Sequence, residues 1–371
     1  MKPPKATPEI EALPLSRPFV GPEELARLAG RSSLLRLGAN ESAFGPPPRA
    51  LEAMRRELPR SAWYGDPESL DLRERLAAKH RCAIENVVVG AGIDDLLGMI
   101  VHGYLGAGGV AVATAGTYPT FAYHVVTRAG RIQTVPYLHD GAVQLDALIA
   151  RARGAGARII YFANPDNPSG SFIGRKALAG ALESLPGDTV FILDEAYGDF
   201  TDPSDLIDDG DPRVVRMRTF SKAYGLAGAR IGYALAAPEI IATCNKIRIQ
   251  YNVNRTAQFG ALAALDDVLF VAEVVAEVAR GREVYVALGA RLGVATLSSF
   301  ANFVNFDLQT RERAEETVAA LLRKGVFVRK PGAPPIDRCV RVTVGTAVER
   351  AEFGERLAEA LVEVDAKLPR P

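Results

Sequence analysis

The sequence is poor in the residues that build metal centres and disulfide frameworks. Among its 371 residues are three cysteines and four histidines. Cys82, Cys244 and Cys339 are widely separated and show no zinc-ligand spacing, and no two histidines stand at helical spacing. We therefore expect no metal site. An odd number of isolated cysteines is typical of a reducing compartment.

Net charge and an unbroken apolar run are also missing. The 44 basic and 44 acidic residues cancel, which argues against binding of nucleic acid or an anionic membrane through bulk charge. The most apolar stretch, residues 99–115, is interrupted by glycines and predicts a helix end, a turn and a strand rather than a membrane span. The first residues lack the apolar core of a signal peptide, so a cytoplasmic protein is expected.

Apolar runs alternate with amphipathic stretches through the first two thirds of the chain. This alternation predicts an α/β fold in which a mostly parallel sheet is covered by helices on both faces. The predicted strands are residues 87–89, 110–112, 132–135, 159–162, 190–193, 214–217 and 231–235. Beyond residue 264, long helical patterns and short strands predict a smaller α+β domain. We expect an N-terminal arm over 1–45, a large domain over 46–264 and a small domain over 265–371.

Three polar clusters follow predicted buried strands. They are Asn164–Gly170, Asp194–Tyr197 and Arg218–Leu226. In open α/β sheets, ligands bind at the carboxyl ends of the strands. The distances along the chain between these clusters are of the size expected for successive strand–helix–strand units. The clusters are therefore expected to meet at one edge of the sheet.

Lys222 stands among small and hydroxyl-bearing residues just after an apolar run. This is a poor place for a solvated surface charge. Partial desolvation lowers the pKa of an amine and frees its lone pair, so Lys222 is well placed to carry a Schiff base. Thr219, Ser221 and Arg230 bracket it with two hydroxyls and a guanidinium, which suit a phosphate. The alternative is an ordinary strand end with one exposed lysine.

Taken in order, these clusters resemble the fold-type I, pyridoxal 5′-phosphate (PLP)-dependent aminotransferases of class I/II. Within them, the sequence most closely resembles the histidinol-phosphate aminotransferase group. The resemblance extends from Leu37–Glu41 to Val340–Gly345. It implies a seven-stranded sheet sandwiched by helices in the large domain, and an N-terminal arm packed on the small domain. It also implies a homodimer with shared active sites.

The resemblance assigns the cofactor's reactive groups to particular residues. Lys222 binds the cofactor's aldehyde and later moves a proton at the substrate Cα, and Asp194 keeps the pyridine nitrogen protonated. Asn167 and Tyr197 donate hydrogen bonds to the 3′ oxygen, and Tyr118 stacks on the pyridine ring. Without the resemblance, Asp194 is a helix cap, the Asn167 cluster is a plain turn and Tyr118 is a core or turn tyrosine.

The phosphate of the cofactor is expected at the turn Gly90–Asp95, whose backbone N–H groups open a helix near Leu96. The family usually shows Gly-Asn-Gly-Ser-Asp here, but this chain has Ala91 and Ile93. Other groups must therefore contribute more to binding of the phosphate. The residues implied to contact the phosphate are Gly92, Ile93, Asp94, Thr219, Ser221, Arg230 and Tyr64 of the partner subunit. The alternative for that tyrosine is a surface turn.

Asn40, Arg329 and Arg341 are the candidate substrate-binding residues. An arginine inside a strand as apolar as 340–344 needs an anion. The resemblance implies that Arg341 holds the carboxylate or phosphate of the substrate, that Arg329 adds a second anion contact and that Asn40 approaches the substrate. The alternative for both arginines is a structural salt bridge. Asn302 is expected to order the backbone around the site.

The sequence thus predicts a PLP-dependent aminotransferase with ping-pong kinetics, acting on small molecules in amino-acid biosynthesis. The predicted reaction is of the histidinol-phosphate:2-oxoglutarate type. Asn252–Asn254 and Ser298–Val304 favour that substrate, whereas Phe19, where the family commonly has tyrosine, disfavours it.

Several alternatives remain beside this reaction. One is an aromatic or general amino-acid aminotransferase, and another is a PLP-dependent decarboxylase of a phosphorylated amino acid. A cofactor-binding transcription regulator is disfavoured because the sequence shows no helix-turn-helix pattern. A dinucleotide-binding protein is disfavoured because no strand is followed by a Gly-x-Gly-x-x-Gly turn.

Overall fold

The structure, a computed structural model, describes residues 3–13, 20–207 and 210–368. Phe19 lies outside these described residues. The helices are α1 (Pro8–Glu11), α2 (Pro22–Leu28), α3 (Pro48–Glu57), α4 (Leu70–His80), α5 (Ile93–Tyr104), α6 (Pro119–Thr127), α7 (Leu145–Ala155), α8 (Arg175–Leu182), α9 (Pro238–Ile247), α10 (Arg255–Asp266), α11 (Val268–Leu292), α12 (Arg311–Arg323) and α13 (Ala347–Lys367). Single 3₁₀ turns occupy Leu58–Arg60, Ile84–Asn86, Gly198–Phe200, Pro203–Asp205, Ala227–Ala229 and Ile336–Arg338.

The described strands form one large sheet and two small ones. The strands are β1 (Leu35–Arg36), β2 (Val87–Gly90), β3 (Val110–Thr114), β4 (Arg131–Val135), β5 (Ile159–Ala163), β6 (Val190–Asp194), β7 (Val214–Thr219), β8 (Gly232–Leu235), β9 (Ala295–Thr296), β10 (Phe303–Asp307), β11 (Val326–Phe327) and β12 (Cys339–Thr343). The large sheet has the order β2-β8-β7-β6-β5-β3-β4. Its strands run parallel except β8, which is antiparallel to both neighbours. The predicted mostly parallel seven-stranded sheet is confirmed.

The central strands of this sheet are buried on both faces. In β5, Ile159 and Tyr161 pack with α5, α6 and α9, whereas Ile160 and Phe162 pack with α7 and α8. Successive side chains of a strand point to opposite faces, so each strand needs an apolar residue at every position. This is why the strands read as unbroken apolar runs. No helix in the described ranges combines the length and apolar character needed to cross a membrane.

The remaining strands lie outside the large sheet. Strands β12, β10 and β9 form an antiparallel sheet, and β1 pairs in parallel with β11. Tyr285, Phe306 and Phe353 pack together, with ring centroids 5.3–5.7 Å apart, and join this sheet to α11 and α13. The two-residue strands β1 and β9 are too short to show a period in the sequence. The domain boundaries near residues 45 and 264 stay a prediction.

The carboxyl ends of β5, β6 and β7 lie side by side. Ala163 pairs with Asp194, and Asp194 pairs with Met217 of the next strand. The three polar clusters that follow these strands are therefore brought to one edge of the sheet by backbone pairing alone. This edge carries the candidate site.

Gly225 shapes the loop that follows β7. Its backbone has φ +64°, and a Cβ at this position would collide with the main-chain oxygen of Gly45. Glycine adopts this left-handed conformation without steric cost. The loop that carries Lys222 can therefore pack directly on the segment at Gly45 and Pro46.

We expect Gly225→Ala to lower the free energy of unfolding by at least about 1–2 kcal/mol, the cost of a left-handed backbone for a residue with a Cβ. The collision with Gly45 adds to this cost. Gly228→Ala is a matched control, because a Cβ there meets no heavy atom within 4 Å. Denaturant unfolding of both variants measures the difference. Equal stability of the two variants would contradict the constraint on Gly225.

Candidate active site

A cavity of about 700 Å³ opens at the carboxyl edge of the large sheet. Most of the predicted site residues line it. They are Asn40, Ile93, Asp94, Tyr118, Asn167, Asp194, Tyr197, Thr219, Ser221, Lys222, Arg230, Arg329 and Arg341. Gly92 lies just behind Ile93 and contacts Arg230. Tyr64 does not line the cavity of its own chain, and 77% of its surface is exposed.

Lys222 lies in the cavity without a carboxylate partner. Its Nζ donates a hydrogen bond to the main-chain oxygen of Asn40 at 3.0 Å and lies 5.6 Å from the ring centroid of Tyr197. Among the described residues, no carboxylate forms an ion pair with it. Burial, assisted by the charge of Arg341, lowers the pKa of Lys222 to about 8. A partly desolvated amine with a lowered pKa is suited to nucleophilic attack on a carbonyl.

Asp194 ends β6 and is buried at the floor of the cavity. One carboxylate oxygen accepts a hydrogen bond from the hydroxyl of Tyr161 at 2.7 Å, and the other accepts one from the backbone N–H of Ala196 at 3.0 Å. Burial raises the pKa of Asp194 to about 6. No described lysine, arginine or histidine pairs with it, so this carboxylate is placed to receive a cationic N–H. Tyr161 was not predicted, because an aromatic residue inside an apolar strand is typical of the core.

Asn40 connects the lysine to the rest of the cavity. It adopts a left-handed backbone with φ 54°, a conformation that asparagine tolerates better than most residues. Its Nδ2 donates to the hydroxyl of Tyr197 at 2.9 Å, and its Oδ1 accepts from the hydroxyl of Thr343 at 3.2 Å. Asn302 donates to the main-chain oxygen of Asn40 at 3.2 Å. Asn302 thus orders the backbone oxygen that also holds Lys222.

Arg341 lies in β12 with its guanidinium held by neutral oxygens. It donates to the side-chain oxygen of Asn167 and to the main-chain oxygen of Gly38. Burial lowers its pKa to about 10. No carboxylate of the described chain forms an ion pair with it, and its Nε has no hydrogen-bond partner there. A half-buried cation held only by neutral oxygens favours an incoming anion.

Arg329 lies beside Arg341 in an adjacent segment. The two residues exchange backbone hydrogen bonds, with N–O distances of 2.7 and 3.3 Å. The side chain of Arg329 donates to the main-chain oxygen of Val20 at 3.0 Å. The cavity therefore has two guanidinium groups on the wall opposite the strand ends.

A second anion-binding end lies where α5 begins. Helix α5 starts at Ile93 rather than near Leu96, because Gly92 turns the chain with φ +86°. A Cβ at Gly92 would lie 2.7 Å from a guanidinium nitrogen of Arg230, so glycine leaves room for the arginine at the positive end of the helix.

Two hydroxyls face the same end of the cavity. Thr219 and Ser221 lie 2.9 Å apart through their hydroxyl oxygens. On the far side, Asp94 accepts a hydrogen bond from the hydroxyl of Tyr118 at 2.9 Å and lies 3.4 Å from Arg230.

These features fit the polar ends of PLP. The space between Gly92 and Arg230, with the two hydroxyls beside it, suits a phosphate. The amine of Lys222 suits an aldehyde, and the buried carboxylate of Asp194 suits a protonated ring nitrogen. Among the described residues, no group of three or more His, Cys, Asp or Glu side chains is arranged to hold a metal ion.

The fold and cavity define the class of protein: an α/β enzyme with a half-buried lysine of lowered pKa at the strand ends. The family model described as aminotransferase class I and II matches residues 32–361. The chain belongs to this family and is a transaminase. The resemblance seen in the sequence is confirmed.

Known relatives resemble the chain along nearly its whole length. It is 35% identical over 348 residues to the histidinol-phosphate aminotransferase of Moorella thermoacetica, covering 91% of this chain and 88% of that protein. It is also 35% identical over 345 residues to that of Symbiobacterium thermophilum, covering 92% and 94%. Histidinol-phosphate aminotransferase from Sinorhizobium meliloti, solved in complex with pyridoxal-5′-phosphate, superposes with a TM-score of 0.93 at 39% identity, covering 97% and 98%.

The lowered pKa of Lys222 predicts a distinct pH dependence of amine labelling in the cofactor-free protein. Only the neutral amine reacts, so burial moves the midpoint of labelling down to about pH 8. Labelling by a small acylating reagent, followed at Lys222 by mass spectrometry, should rise from pH 6 and level off above pH 9. A midpoint near 10.4, the value for an unperturbed lysine, would contradict this.

Proposed function

We propose that this protein is a PLP-dependent aminotransferase of the histidinol-phosphate type, with 2-oxoglutarate as the amino acceptor. The observation that carries the proposal is the half-buried guanidinium of Arg341, which lines the cavity and has no carboxylate partner among the described residues. Arg329 lies beside it in the adjacent segment. Two guanidinium groups suit the two charges of a phosphate monoester. The relatives named above support the same substrate class.

When bound, PLP supplies a ring that accepts the negative charge developing at the substrate Cα. Asp194 would hold the ring nitrogen in its protonated form. Burial disfavours a carboxylate without a charged partner, so a cationic ring nitrogen beside Asp194 would stabilise it. Asn167 and Tyr197 would hold the 3′ oxygen. Lys222 would remove the proton from the substrate Cα and return it at the C4′ carbon of the cofactor, with the backbone of Asn40 orienting its Nζ.

The charges at the two ends of the cavity orient the ligands. Arg230, Thr219 and Ser221 would hold the phosphate of the cofactor, while Arg329 and Arg341 would hold the phosphate of the substrate some distance from the reacting carbon. Histidinol phosphate has no carboxylate on that carbon, so loss of carbon dioxide does not compete. The decarboxylase alternative requires an amino acid and release of carbon dioxide, which product analysis detects.

We expect histidinol phosphate to bleach the visible absorption of the PLP-loaded protein at least about tenfold faster than an aromatic or aliphatic amino acid, a difference of about 1.4 kcal/mol in activation free energy. Histidinol, which lacks the phosphate, is the matched control ligand and should react slowly. Arg341→Gln should make histidinol phosphate and histidinol react at similar rates. Equal rates for histidinol phosphate and histidinol in the unaltered protein would reject the proposed substrate.

We also propose a homodimer in which Tyr64 of the partner subunit reaches the phosphate of the cofactor. Tyr64 and Trp63 are 77% and 65% exposed, and Tyr64 stacks on Tyr251 with centroids 4.5 Å apart. Aromatic side chains exposed together suit a protein interface. Because Tyr64 lies outside the cavity of its own chain, any contact with the cofactor must be made in the other subunit.

Mixing two inactive variants tests the shared site. Co-expression of Lys222→Ala with Tyr64→Ala should restore about a quarter of the activity, because half of randomly formed dimers are mixed and each has one intact site. Lys222→Ala with Asp194→Asn is the matched control and should restore nothing, since both residues belong to one cavity. Separately tagged chains allow purification of the mixed dimer for assay. Failure of the first pair, with mixed dimers present, would exclude the shared site.

Location and domain division remain proposals as well. The three cysteines, Cys82, Cys244 and Cys339, are few and far apart in the sequence, which supports a reducing, cytoplasmic location. The pairing of β1 with β11 supports assignment of the N-terminal arm to the small domain. The long helix α11 follows the proposed boundary at residue 264 and is suited to connecting the two domains.

A further inference from the structure

Behind the candidate site, two buried and two half-buried charged side chains form a cluster. Arg218 lies 2.6 Å from Asp199 and 3.7 Å from Glu195, and Arg216 lies 3.2 Å from Glu195. We call these four residues the arginine–carboxylate clamp. Glu195 is the residue next to Asp194, but it turns away from the cavity and does not line it.

The clamp is not itself a ligand site. Its two guanidinium groups face two carboxylates, so its charges cancel without an added ion. Arg218 and Glu195 are 6% and 1% exposed. Helix α4 lies alongside, where His80 is hydrogen-bonded to the hydroxyl of Tyr233 at 2.9 Å. Buried ion pairs of this kind are weak evidence for stability, because desolvation offsets their attraction. A positional role accounts better for them.

The positions of the clamp residues along the chain tie two parts of the candidate site together. Glu195 and Asp199 flank Tyr197 in the turn that presents Tyr197 to the cavity. Arg218 contacts both of them, so both ends of the turn are held on the side away from the cavity. Arg218 is in β7, directly before Thr219 and four residues before Lys222. An added Cβ at Gly198 would lie 3.5 Å from the Arg218 guanidinium, so the turn packs closely on this side chain.

We propose that Arg218 is a positioning residue that fixes Asp194 and Tyr197 relative to Lys222 by holding Glu195 and Asp199. The inference rests on the proposed function, because it concerns how these three groups meet the cofactor. Arg218 touches neither the cavity nor a ligand within it. Its effect is transmitted through the turn 195–199, whose ends it fixes.

The first test uses the pH midpoint of the visible absorption of the PLP-loaded protein. Tyr197 is expected to lower this midpoint through its hydrogen bond to the 3′ oxygen, so loosening the turn should raise it. We expect Arg218→Gln to raise the midpoint by about half a unit or more. We also expect kcat to fall about 10- to 100-fold, while KM for the amino donor changes little because Arg341 and Arg329 are intact. Arg218→Lys should restore part of both.

Arg313→Gln is the matched control. Arg313 is 3% exposed and pairs with Asp365 at 2.5 Å, but it lies on α12, outside the cavity. Its loss also takes a buried guanidinium away from a half-buried carboxylate partner, yet it should leave the midpoint and kcat unchanged. If both variants shift the midpoint equally, or neither does, Arg218 has no positioning role. If the unaltered protein shows no absorption band, the proposed function fails instead.

A second test needs no cofactor and covers the case in which Arg218→Gln does not fold. Asp199→Asn removes one charge of the clamp while keeping the size and the acceptor oxygen of the side chain. In the cofactor-free protein, hydrogen exchange of the backbone segment 195–200 should become faster in this variant and in Arg218→Gln, but not in Arg313→Gln. Unchanged exchange in a folded Asp199→Asn variant would overturn the proposal.

Discussion

The constraint on which the rest of the site depends is the burial of Asp194 and the half-burial of Lys222 and Arg341 in one cavity. None of the three forms an ion pair with another described residue. Water stabilises such charges far better than a protein interior does. Burial therefore shifts the pKa of each group toward its neutral form. The site has a neutral amine within reach at moderate pH, a carboxylate that favours a cationic partner, and a guanidinium that favours an anion. Each of these needs is met by a part of the proposed cofactor or substrate.

The surrounding fold holds these groups with neutral hydrogen bonds rather than opposite charges. The backbone oxygen of Asn40 accepts from Lys222, the hydroxyl of Tyr161 donates to Asp194, and Asn167 and Gly38 accept from Arg341. Neutral partners fix a position without quenching the charge that a ligand needs. Outside the cavity, the ion pairs of the arginine–carboxylate clamp fix backbone rather than contact ligands.

The chain belongs to the aminotransferase class I and II family, and its candidate cofactor-binding residues lie at the strand ends of the large sheet. The candidate substrate-binding arginines lie on the opposite wall of the cavity. That wall comes from β12 and from the segment after β11. The turn Gly90–Asp95 departs from the common family pattern, yet the helix that follows it still presents its positive end beside Arg230. In the proposed phosphate site, backbone geometry and Arg230 would take the place of the hydroxyl that Ile93 lacks.

The sequence by itself determined the strands of the large sheet, the order of the polar clusters and the identity of most cavity residues. These features depend on short segments of the chain. A buried strand needs an unbroken apolar run, and the turns with the candidate site residues directly follow the strands. The tertiary structure alone decided which groups are neighbours. Tyr161 looked like a core residue until it was seen against Asp194. Glu195, the next residue after Asp194, faces Arg216 and Arg218 rather than the cavity. Contacts between segments far apart in the chain depend on packing in three dimensions, which a one-dimensional pattern does not contain.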